Sequence, residues 1–354
     1  MVCSIASPDL LAHLGDSDDA EDRAAALRTI ATSASLRTQR LIVGRLMRRL
    51  DVDAQTLGLL PEADVTRRQS VYDVRNGGRF DLPGVLVRAD GDEPSEDPAV
   101  NEAFDGTAST YDFFRTVFDR DSVDGQGLEL VSSVHYGVRF ENALWNGTQM
   151  IYGDGGGRLF LEGSLTRALD IMAHELTHGV TQYTADLEYR KQSGALNEHF
   201  SDVFGSLVKQ WTLGQTAQQA DWLIGAGVLV PRLGRALRSM ADPGTAWEGD
   251  RQPGTMSGYI DLPDDNRPEN DNGGVHINSG IPNRAFALAA TQLGGHAWER
   301  AGRIWYLALT ERLHATAQFA DAAQATVAIA GELFPGEDVA DVVEQAWRDV
   351  EVLA

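Results

Sequence analysis

The amino-acid sequence predicts an α+β protein of two lobes, the first rich in β-strands and the second mainly α-helical. Its 354 residues exceed the usual size of one domain, and 43% hydrophobic residues suffice for a substantial core. From Val71 to about Phe160, short alternating runs such as 84–88 and 130–140 lie between turn residues, which is typical of strands. After Thr166 helical periodicity dominates, and one buried helical stripe is predicted from Leu196, Phe200, Val203, Phe204, Leu207 and Val208.

Two further segments have compositions of their own. Residues 21–50 are rich in Ala, Leu and Arg, with spaced apolar residues among charges, so short helices are expected there. Residues 241–274 are dense in Asp, Pro, Gly and Asn, which predicts a long surface loop before helical sequence returns at Pro282.

The charge balance disfavours a nucleic-acid partner. Asp and Glu number 52 against 30 Lys and Arg, and the formal charge of -22 repels a phosphate backbone. The acidic residues form short runs at 16–22 and 90–97, which are typical of solvated loops and leave calcium binding there open. The single cysteine, Cys3, excludes an intramolecular disulfide, which fits a reducing compartment and also a secreted enzyme that relies on metals.

One helix-compatible segment carries two histidines with metal-ligand spacing. Residues 170–179 read D-I-M-A-H-E-L-T-H-G, so His174 and His178 lie one turn apart on one face and can bind one zinc ion. Glu175 is rotated by about 100° from His174, which makes it a poor ligand but a suitable general base for the attacking water. Alone, the pattern also occurs as an exposed pair of histidines on unrelated helices.

A second segment supplies the third ligand. In G-A-L-N-E-H-F-S-D, Glu198 follows His178 by twenty residues, and Asp202 lies one turn beyond Glu198 on the same face. Two histidines and one glutamate are a known ligand set of catalytic zinc. Because metal-bound imidazoles usually donate their other N–H to a carboxylate, Asp202 is the expected orienting partner, although a surface carboxylate on a core helix would have the same spacing.

These residues resemble the thermolysin-like neutral metalloproteases, and the resemblance runs from about Val71 to the C-terminus. It implies that the active-site cleft lies between the two lobes. The start C-S-I-A-S-P-D-L-L, the helical leader, V-K-Q at 208–210 and A-D-W-L-I-G at 220–225 resemble the protealysin-type subgroup, in which a short propeptide precedes the enzyme. The implied parts are an inhibitory, removable propeptide at 1–60, a β-rich catalytic lobe at 61–190 that includes the H-E-x-x-H helix, and an α-helical lobe at 191–354. Cleavage is expected between residues 50 and 70.

The resemblance also implies roles for single residues. N-A-L-W-N-G-T-Q-M-I-Y-G-D-G at 142–155 is similar to the family's edge strand, in which Asn142 and the Ala143 carbonyl would hold the substrate backbone. D-N-G-G-V-H-I-N-S-G-I at 271–281 is similar to the segment with the second catalytic histidine, so His276 would stabilise the oxyanion and Asp271 would orient it. The other implied positions are Tyr189 as an oxyanion donor, Arg238 on the substrate carbonyl, Asn197 near His178, and Ile171, Ile224 and Leu237 in an apolar pocket for the residue after the scissile bond. Without the resemblance, the tyrosine would be read as a core residue and the arginine as a surface residue.

One departure from the family concerns calcium. Members with a double calcium site have acidic ligands where this chain has Lys209, Leu223 and Ala226, while Asp170 and Asp221 remain. A lysine ammonium can replace part of the cation's electrostatic effect, so the double calcium site is predicted to be absent. Calcium elsewhere stays open.

Two single residues carry open alternatives. The Cys3 thiolate could bind the zinc in the zymogen, because thiolates are good zinc ligands, or Cys3 could be a small buried residue of the propeptide. His199 stands where small residues are common in the family, and its side chain should point away from the metal as a structural or solvent-facing group.

Together these features predict a zinc-dependent endopeptidase, made as a zymogen, that cleaves before bulky hydrophobic residues. Its expected partners are protein or peptide substrates and its own propeptide as an inhibitor; a monomer without nucleic-acid or membrane binding is expected. The alternatives are a catalytically silent binding or regulatory protein on the same fold and a zinc hydrolase acting on non-protein amides. The first twenty residues lack a basic leader and a continuous apolar run, so a cytoplasmic location is expected, with leaderless secretion as the alternative.

Overall fold

The computed structural model of the protein describes the backbone of residues 5–50, 67–265 and 267–354, and their side chains except at 35, 37–50 and 268. Two helices come first, α1 (Pro8–Gly15) and α2 (Ala20–Leu50). Ser7 caps α1 by accepting the Leu10 N–H on Oγ at 3.3 Å, and proline follows at the first helical position. α2 is one helix of 31 residues rather than the expected short helices, because its Ala, Leu and Arg favour helix and no proline interrupts them.

The N-terminal lobe is built on a mixed five-stranded sheet in the order β2-β1-β3-β5-β4. The pairs β1–β3 and β3–β5 are parallel, whereas β1–β2 and β4–β5 are antiparallel. The short strand β4 therefore forms one edge, where the backbone is free to pair with another chain segment. The elements of this lobe are β1 (Gln69–Asp73), β2 (Val85–Ala89), α3 (Pro98–Phe118), β3 (Leu130–Val134), β4 (Ala143–Trp145) and β5 (Met150–Tyr152).

Two helices that follow, α5 (Leu169–Gln182) and α6 (Lys191–Leu213), cross at close range and carry the candidate metal ligands. A Cβ atom on Gly205 would lie 2.5 Å from the Asp170 carbonyl oxygen and 3.3 Å from Cβ of His174, so only glycine permits this approach. The predicted apolar stripe of α6 is fully buried, which confirms the helical interpretation. The elements are α4 (Ser164–Arg167), α5 (Leu169–Gln182), α6 (Lys191–Leu213), β6 (Leu223–Ile224) and β7 (Arg238–Ser239).

The rest of the C-terminal lobe packs further helices around α6. Among the described residues of 241–270, only 3-10 turns at Met256–Gly258 and Pro268–Asn270 interrupt the predicted loop. Helix begins at Asp271 rather than Pro282, with positive φ angles at residues 272–274 that the glycines at 273 and 274 tolerate. The elements are α7 (Asp271–Asn278), α8 (Gly280–Leu293), α9 (Ala301–Leu307) with a π-helical turn at Ala308–Arg312, α10 (Phe319–Leu333) and α11 (Val339–Asp349). Within the described ranges, no helix has the length and apolarity needed to cross a membrane.

The acidic runs are not plain solvated loops. Asp22 is 2% exposed, and its carboxylate pairs with Arg158 at 3.4 Å and Arg232 at 2.9 Å. In the second run, Oδ2 of Asp90 accepts the Gln69 N–H at 2.6 Å, and Asp97 caps α3. Several of these acids therefore stabilise helix starts or bind arginines, which composition alone does not reveal.

Candidate active site

Helices α5 and α6 bring three candidate metal ligands together. α5 carries His174 and His178 one turn apart, and α6 carries Glu198. One ligand atom from each side chain lies within 4.8 Å of the others, and all three side chains are buried. Nε2 of His174 is 3.1 Å from Nε2 of His178, and these nitrogens lie 3.4 and 3.5 Å from the Glu198 carboxylate.

Hydrogen bonds behind the two histidines direct both Nε2 atoms to the same point. Nδ1 of His174 is 2.8 Å from Oδ1 of Asp202, and Nδ1 of His178 is 2.7 Å from Oδ1 of Asn197. Because both oxygens accept, each Nδ1–H donates and Nε2 remains a lone-pair donor. Among the described residues, no donor forms a well-aligned hydrogen bond with the buried Oε2 of Glu198. Two converging imidazoles and an unsatisfied carboxylate oxygen fit a bound cation, and this donor set is one that catalytic zinc uses.

Asp202 is held ionised between a zinc-ligand candidate and an arginine. Besides Nδ1 of His174, it accepts Nε and Nη2 of Arg238, each at 2.8 Å, and Nδ2 of Asn283 at 2.8 Å. Burial alone would raise the pKa of Asp202, but Arg238 and His174 hold it well below its usual range. The carboxylate therefore fixes the orientation of His174 and of the arginine at once.

A buried chain of hydrogen bonds continues from Asp202 away from the metal ligands. Oδ1 of Asn283 is 2.8 Å from Nδ1 of His199, and the indole N–H of Trp305 donates to Nε2 of His199 at 2.8 Å. His199 is fully buried, and burial lowers its pKa to about 4, so the ring is neutral. The solvent-facing alternative for His199 is wrong, and the ring is a structural connector. The sequence alone does not identify Asn283 or Trp305 as members of this chain of hydrogen bonds. The indication that it offers is a polar residue, Asn283, within the largely apolar helix α8.

Glu175 lies next to the three ligands without joining them. Its Oε2 accepts the backbone N–H of Trp145 at 2.9 Å, and its Oε1 is buried without a donor among the described residues. Burial raises the pKa of Glu175 to about 8. A carboxylate with a high proton affinity and one unsatisfied oxygen is suited to take a proton.

Tyr189 and His276 also lie close to the ligands, on the Glu198 carboxylate. The Tyr189 hydroxyl donates to Oε1 of Glu198 and is 3.1 Å from Nε2 of His276. Asp271 holds the His276 ring through Nδ1 at 2.6 Å and accepts its backbone N–H at 2.8 Å. The positive φ of the residues between Asp271 and His276 allows the chain to fold back for this double contact. Two donors of the kind that stabilise an oxyanion thus face the metal ligands.

The start of the described chain occupies the edge strand of the cleft. The Ile5 N–H donates to the Ala143 carbonyl at 3.2 Å, and the Ala6 N–H donates to Oδ1 of Asn142 at 3.0 Å. Nδ2 of Asn142 donates to Oγ of Ser33 in α2 at 3.1 Å. The two groups that the family resemblance assigns to the substrate backbone therefore hold the N-terminal segment.

The three residues expected to line an apolar pocket lie in the large apolar core. Ile171, Ile224 and Leu237 are buried and belong to the same apolar cluster as the fully buried Ile5. Arg238, assigned to a substrate carbonyl, uses its hydrogen bonds to Asp202 and also lines a cavity with Leu237 and His276. The Leu237 N–H donates to the Ile224 carbonyl at 2.9 Å, so these two expected pocket residues are neighbours.

Lys209 lies between two carboxylates and a backbone carbonyl. Its Nζ is 3.0 Å from Oδ2 of Asp170, 3.0 Å from Oδ1 of Asp221 and 2.6 Å from the Leu223 carbonyl oxygen. Burial alone would lower the pKa of Lys209, but the two aspartates outweigh it and raise the pKa. The ammonium therefore stays charged between two carboxylates and a carbonyl.

Fold and site define a metal-dependent peptidase with a two-histidine, one-glutamate centre. Comparison with known proteins gives the family. The family models for "Thermolysin metallopeptidase, catalytic domain" and "Thermolysin metallopeptidase, alpha-helical domain" match residues 48–182 and 185–352. The chain belongs to the thermolysin family of metallopeptidases, which uses catalytic zinc, and it is a zinc metalloendopeptidase.

Two relatives cover nearly the whole chain. An "Extracellular metalloprotease" of Pectobacterium carotovorum subsp. carotovorum is 45% identical over 358 residues, which are 99% of this chain and 96% of that protein. The solved precursor of protealysin, a metalloproteinase from Serratia proteamaculans, matches with a TM-score of 0.84 and 44% identity over 99% of this chain and 100% of that one. The match to a precursor supports a zymogen form of this chain.

The expected cytoplasmic location is wrong. The relative aligned over 99% of this chain is named an extracellular protease, and comparison with such relatives points to secretion.

Proposed function

We propose that the enzyme binds one zinc ion through His174, His178 and Glu198 and cleaves peptide bonds before bulky apolar residues. The observation that carries the proposal is the convergence of three buried ligand atoms within 4.8 Å beside Glu175. When bound, the ion would supply Lewis-acid polarisation of the scissile carbonyl and of water. The remaining chemistry rests on the residues around it.

Glu175 is the proposed general base. Its free Oε1 would take the proton of the attacking water and then deliver it to the leaving amine, while Trp145 fixes Oε2. Tyr189 and His276 would stabilise the developing oxyanion, and Asp271 would hold the histidine ring in place.

Substrate binding would repeat the contacts of the N-terminal segment. Asn142 and the Ala143 carbonyl would hold the substrate backbone as they hold Ile5 and Ala6. The pocket of Ile171, Ile224 and Leu237 would take the apolar residue after the scissile bond. Arg238, preoriented by the ionised Asp202, would contact the substrate carbonyl, and Asn197 would hold the His178 ring.

The same contacts support an inhibitory N-terminal segment. We assign residues 1–60 to a propeptide that blocks the cleft, 61–190 to the β-rich catalytic lobe and 191–354 to the helical lobe, with the activating cleavage between residues 50 and 70. A peptide seated on Asn142 and Ala143 excludes a substrate from the same backbone groups. Cys3 lies outside the described residues, so the proposed contact of its thiolate with the metal stays a hypothesis.

Because Lys209 occupies the position between Asp170 and Asp221, we propose that the double calcium site is absent. We further propose that the enzyme acts outside the cell as a monomer.

The test is casein cleavage by wild-type and Glu175→Gln protein after the propeptide has been removed from both with an added protease, which is itself removed before the assay, together with a measurement of zinc per chain. The proposal expects cleavage by the wild type alone, with zinc in both proteins. Zinc without cleavage in either would favour the silent binding protein, and cleavage of simple amides without casein digestion would favour a hydrolase of non-protein amides. A chain without zinc would overturn the ligand assignment.

A further inference from the structure

A carboxylate of the N-terminal segment binds an arginine in the cleft, beyond the residues assigned so far. Asp9 in the first turn of α1 forms a two-pronged ion pair with Arg251, with Nε 3.0 Å from Oδ2 and a second, shorter contact between Nη2 and Oδ1. The Asp9 side chain is 18% exposed and that of Arg251 is 46% exposed. Guanidinium and carboxylate planes match in this geometry, which makes it selective for acids.

Arg251 belongs to the cleft and not to a distant surface. It lines one cavity together with Ser7 and Asp9 of the segment and with Leu237, Arg238, Trp247 and His276 of the enzyme. The next residue, Gln252, donates from Nε2 to the His276 carbonyl at 2.7 Å, so the loop with Arg251 is tied to the backbone of the catalytic histidine. The neighbouring Asp250 uses its carboxylate on the backbone N–H groups of Ala246 and Gln252. Among the described residues, Arg251 forms its ion pair with Asp9.

We propose that Arg251, with Trp247 beside it, forms a substrate subsite that selects an acidic side chain after the cleaved bond. The inference rests on the proposed function, and it takes Ile5, whose N–H donates to the Ala143 carbonyl, as the position of the apolar residue after the scissile bond. Trp247 contacts the segment too, since the His13 ring packs on it with centroids 5.4 Å apart. When the segment leaves, the guanidinium loses its carboxylate partner at a fixed place in the cleft.

The spacing along a substrate follows from the path of the segment. The chain bends at residues 5 and 6 and is helical from Pro8, so Ile5 and Asp9 are separated by at most about 10 Å, with about 3.3 Å for each non-helical and 1.5 Å for each helical residue. An extended substrate covers this distance in three residues. The subsite should therefore read the third residue after the one in the apolar pocket.

The experiment uses the full chain after it has activated and a set of internally quenched peptides with leucine as the apolar residue. Asp, Asn and Lys are placed in turn at each of the four positions that follow. Because the protein carries a formal charge of -22, acids should be slightly disfavoured at most positions. At the third position we expect Asp to exceed Asn in kcat/KM by about two- to fivefold, as for partly exposed ion pairs, and the excess to shrink in 0.5 M NaCl.

Variants separate the subsite from other causes. Arg251→Gln should lose the preference for Asp, and Arg251→Glu should prefer Lys at the same position, a gain that misfolding cannot produce. Arg235→Gln removes one exposed arginine nearby and serves as the matched control, which should keep the wild-type profile. A flat profile at all four positions, or a preference for Asp that survives Arg251→Gln, would overturn the subsite. If no peptide is cleaved beside its leucine, the proposed function itself fails instead.

Discussion

Lys209 should stabilise the protein as a replacement for calcium, and its removal gives the sharpest test of the electrostatics. Lys209→Met keeps the length of the side chain but removes the charge that faces Asp170, Asp221 and the Leu223 carbonyl. Asp170 is 5% exposed and would keep only backbone donors, from Ile171 at 3.0 Å and Gly225 at 3.1 Å.

The magnitude follows from how deeply each partner is buried. Removing one partner of a fully buried ion pair costs about 3–5 kcal/mol. The Lys209 side chain is 16% exposed and that of Asp221 is 47% exposed, so solvent screening reduces the expected loss to about 2 kcal/mol. For a chain of 354 residues that corresponds to a fall in melting temperature of roughly 3 °C.

The assay is thermal unfolding at one scan rate in the Glu175→Gln background, which prevents self-digestion. Lys191→Met is the matched control, because the Lys191 ammonium also binds an aspartate and a carbonyl, but with side chains 35% and 78% exposed for Lys191 and Asp261. The control should change the melting temperature by less than about 1 °C. Millimolar calcium should leave the wild type unchanged at this site and stabilise Lys209→Glu, which restores an acidic cluster. Equal melting temperatures for Lys209→Met and its parent would refute the reasoning.

Three further predictions concern the base, the ligand support and pH. Glu175→Gln should retain zinc and lose roughly 100-fold to 10,000-fold in peptide cleavage, measured with one quenched peptide; activity near wild type would exclude this residue as the base. Asp202→Asn should weaken zinc binding by about 10- to 100-fold in competition with a chromogenic chelator, because His174 loses its charged acceptor, and unchanged affinity would contradict that support. Hydrogen bonds to Asp154 and Asp97 raise the pKa of His135 to about 9, so its stabilisation is complete below about pH 6.5 and is lost as the pH rises through about 9. Urea unfolding from pH 6 to 10 should show this decline in the parent but not in His135→Gln.

The metal ligands could be predicted because their geometry is local. His174 and His178 are one helical turn apart, and Glu198 and Asp202 repeat that spacing on a second helix, so sequence spacing fixes each pair. Spacing within each helix does not show that the two helices approach closely enough to share one ion. That approach depends on Gly205, because a Cβ atom there would collide with the Asp170 carbonyl oxygen. The resemblance to a known family supplied that step.

The parts of the site that sequence analysis missed are contacts between distant segments. Asn283 joins Asp202 to His199 across 81 and 84 residues of chain, and the Trp305 indole reaches His199 from 106 residues away. A buried polar residue must find a partner, but its sequence does not say which one. The acidic run at 16–22 is a second example of contacts that the sequence does not predict. Asp22 in this run pairs with Arg158 and Arg232, which are distant from it in sequence.

The contacts of the N-terminal segment divide into two kinds with different consequences. Backbone hydrogen bonds to Asn142 and Ala143 are open to any extended peptide, so they cannot by themselves favour the segment over a substrate. The ion pairs of Asp9 with Arg251 and of Asp22 with Arg158 and Arg232 depend on sequence and supply that preference. Surface ion pairs weaken as salt rises, whereas backbone hydrogen bonds in a buried strand do not. The segment should therefore be released faster at high ionic strength, while the apolar pocket and the strand edge that it uncovers keep their affinity for substrate.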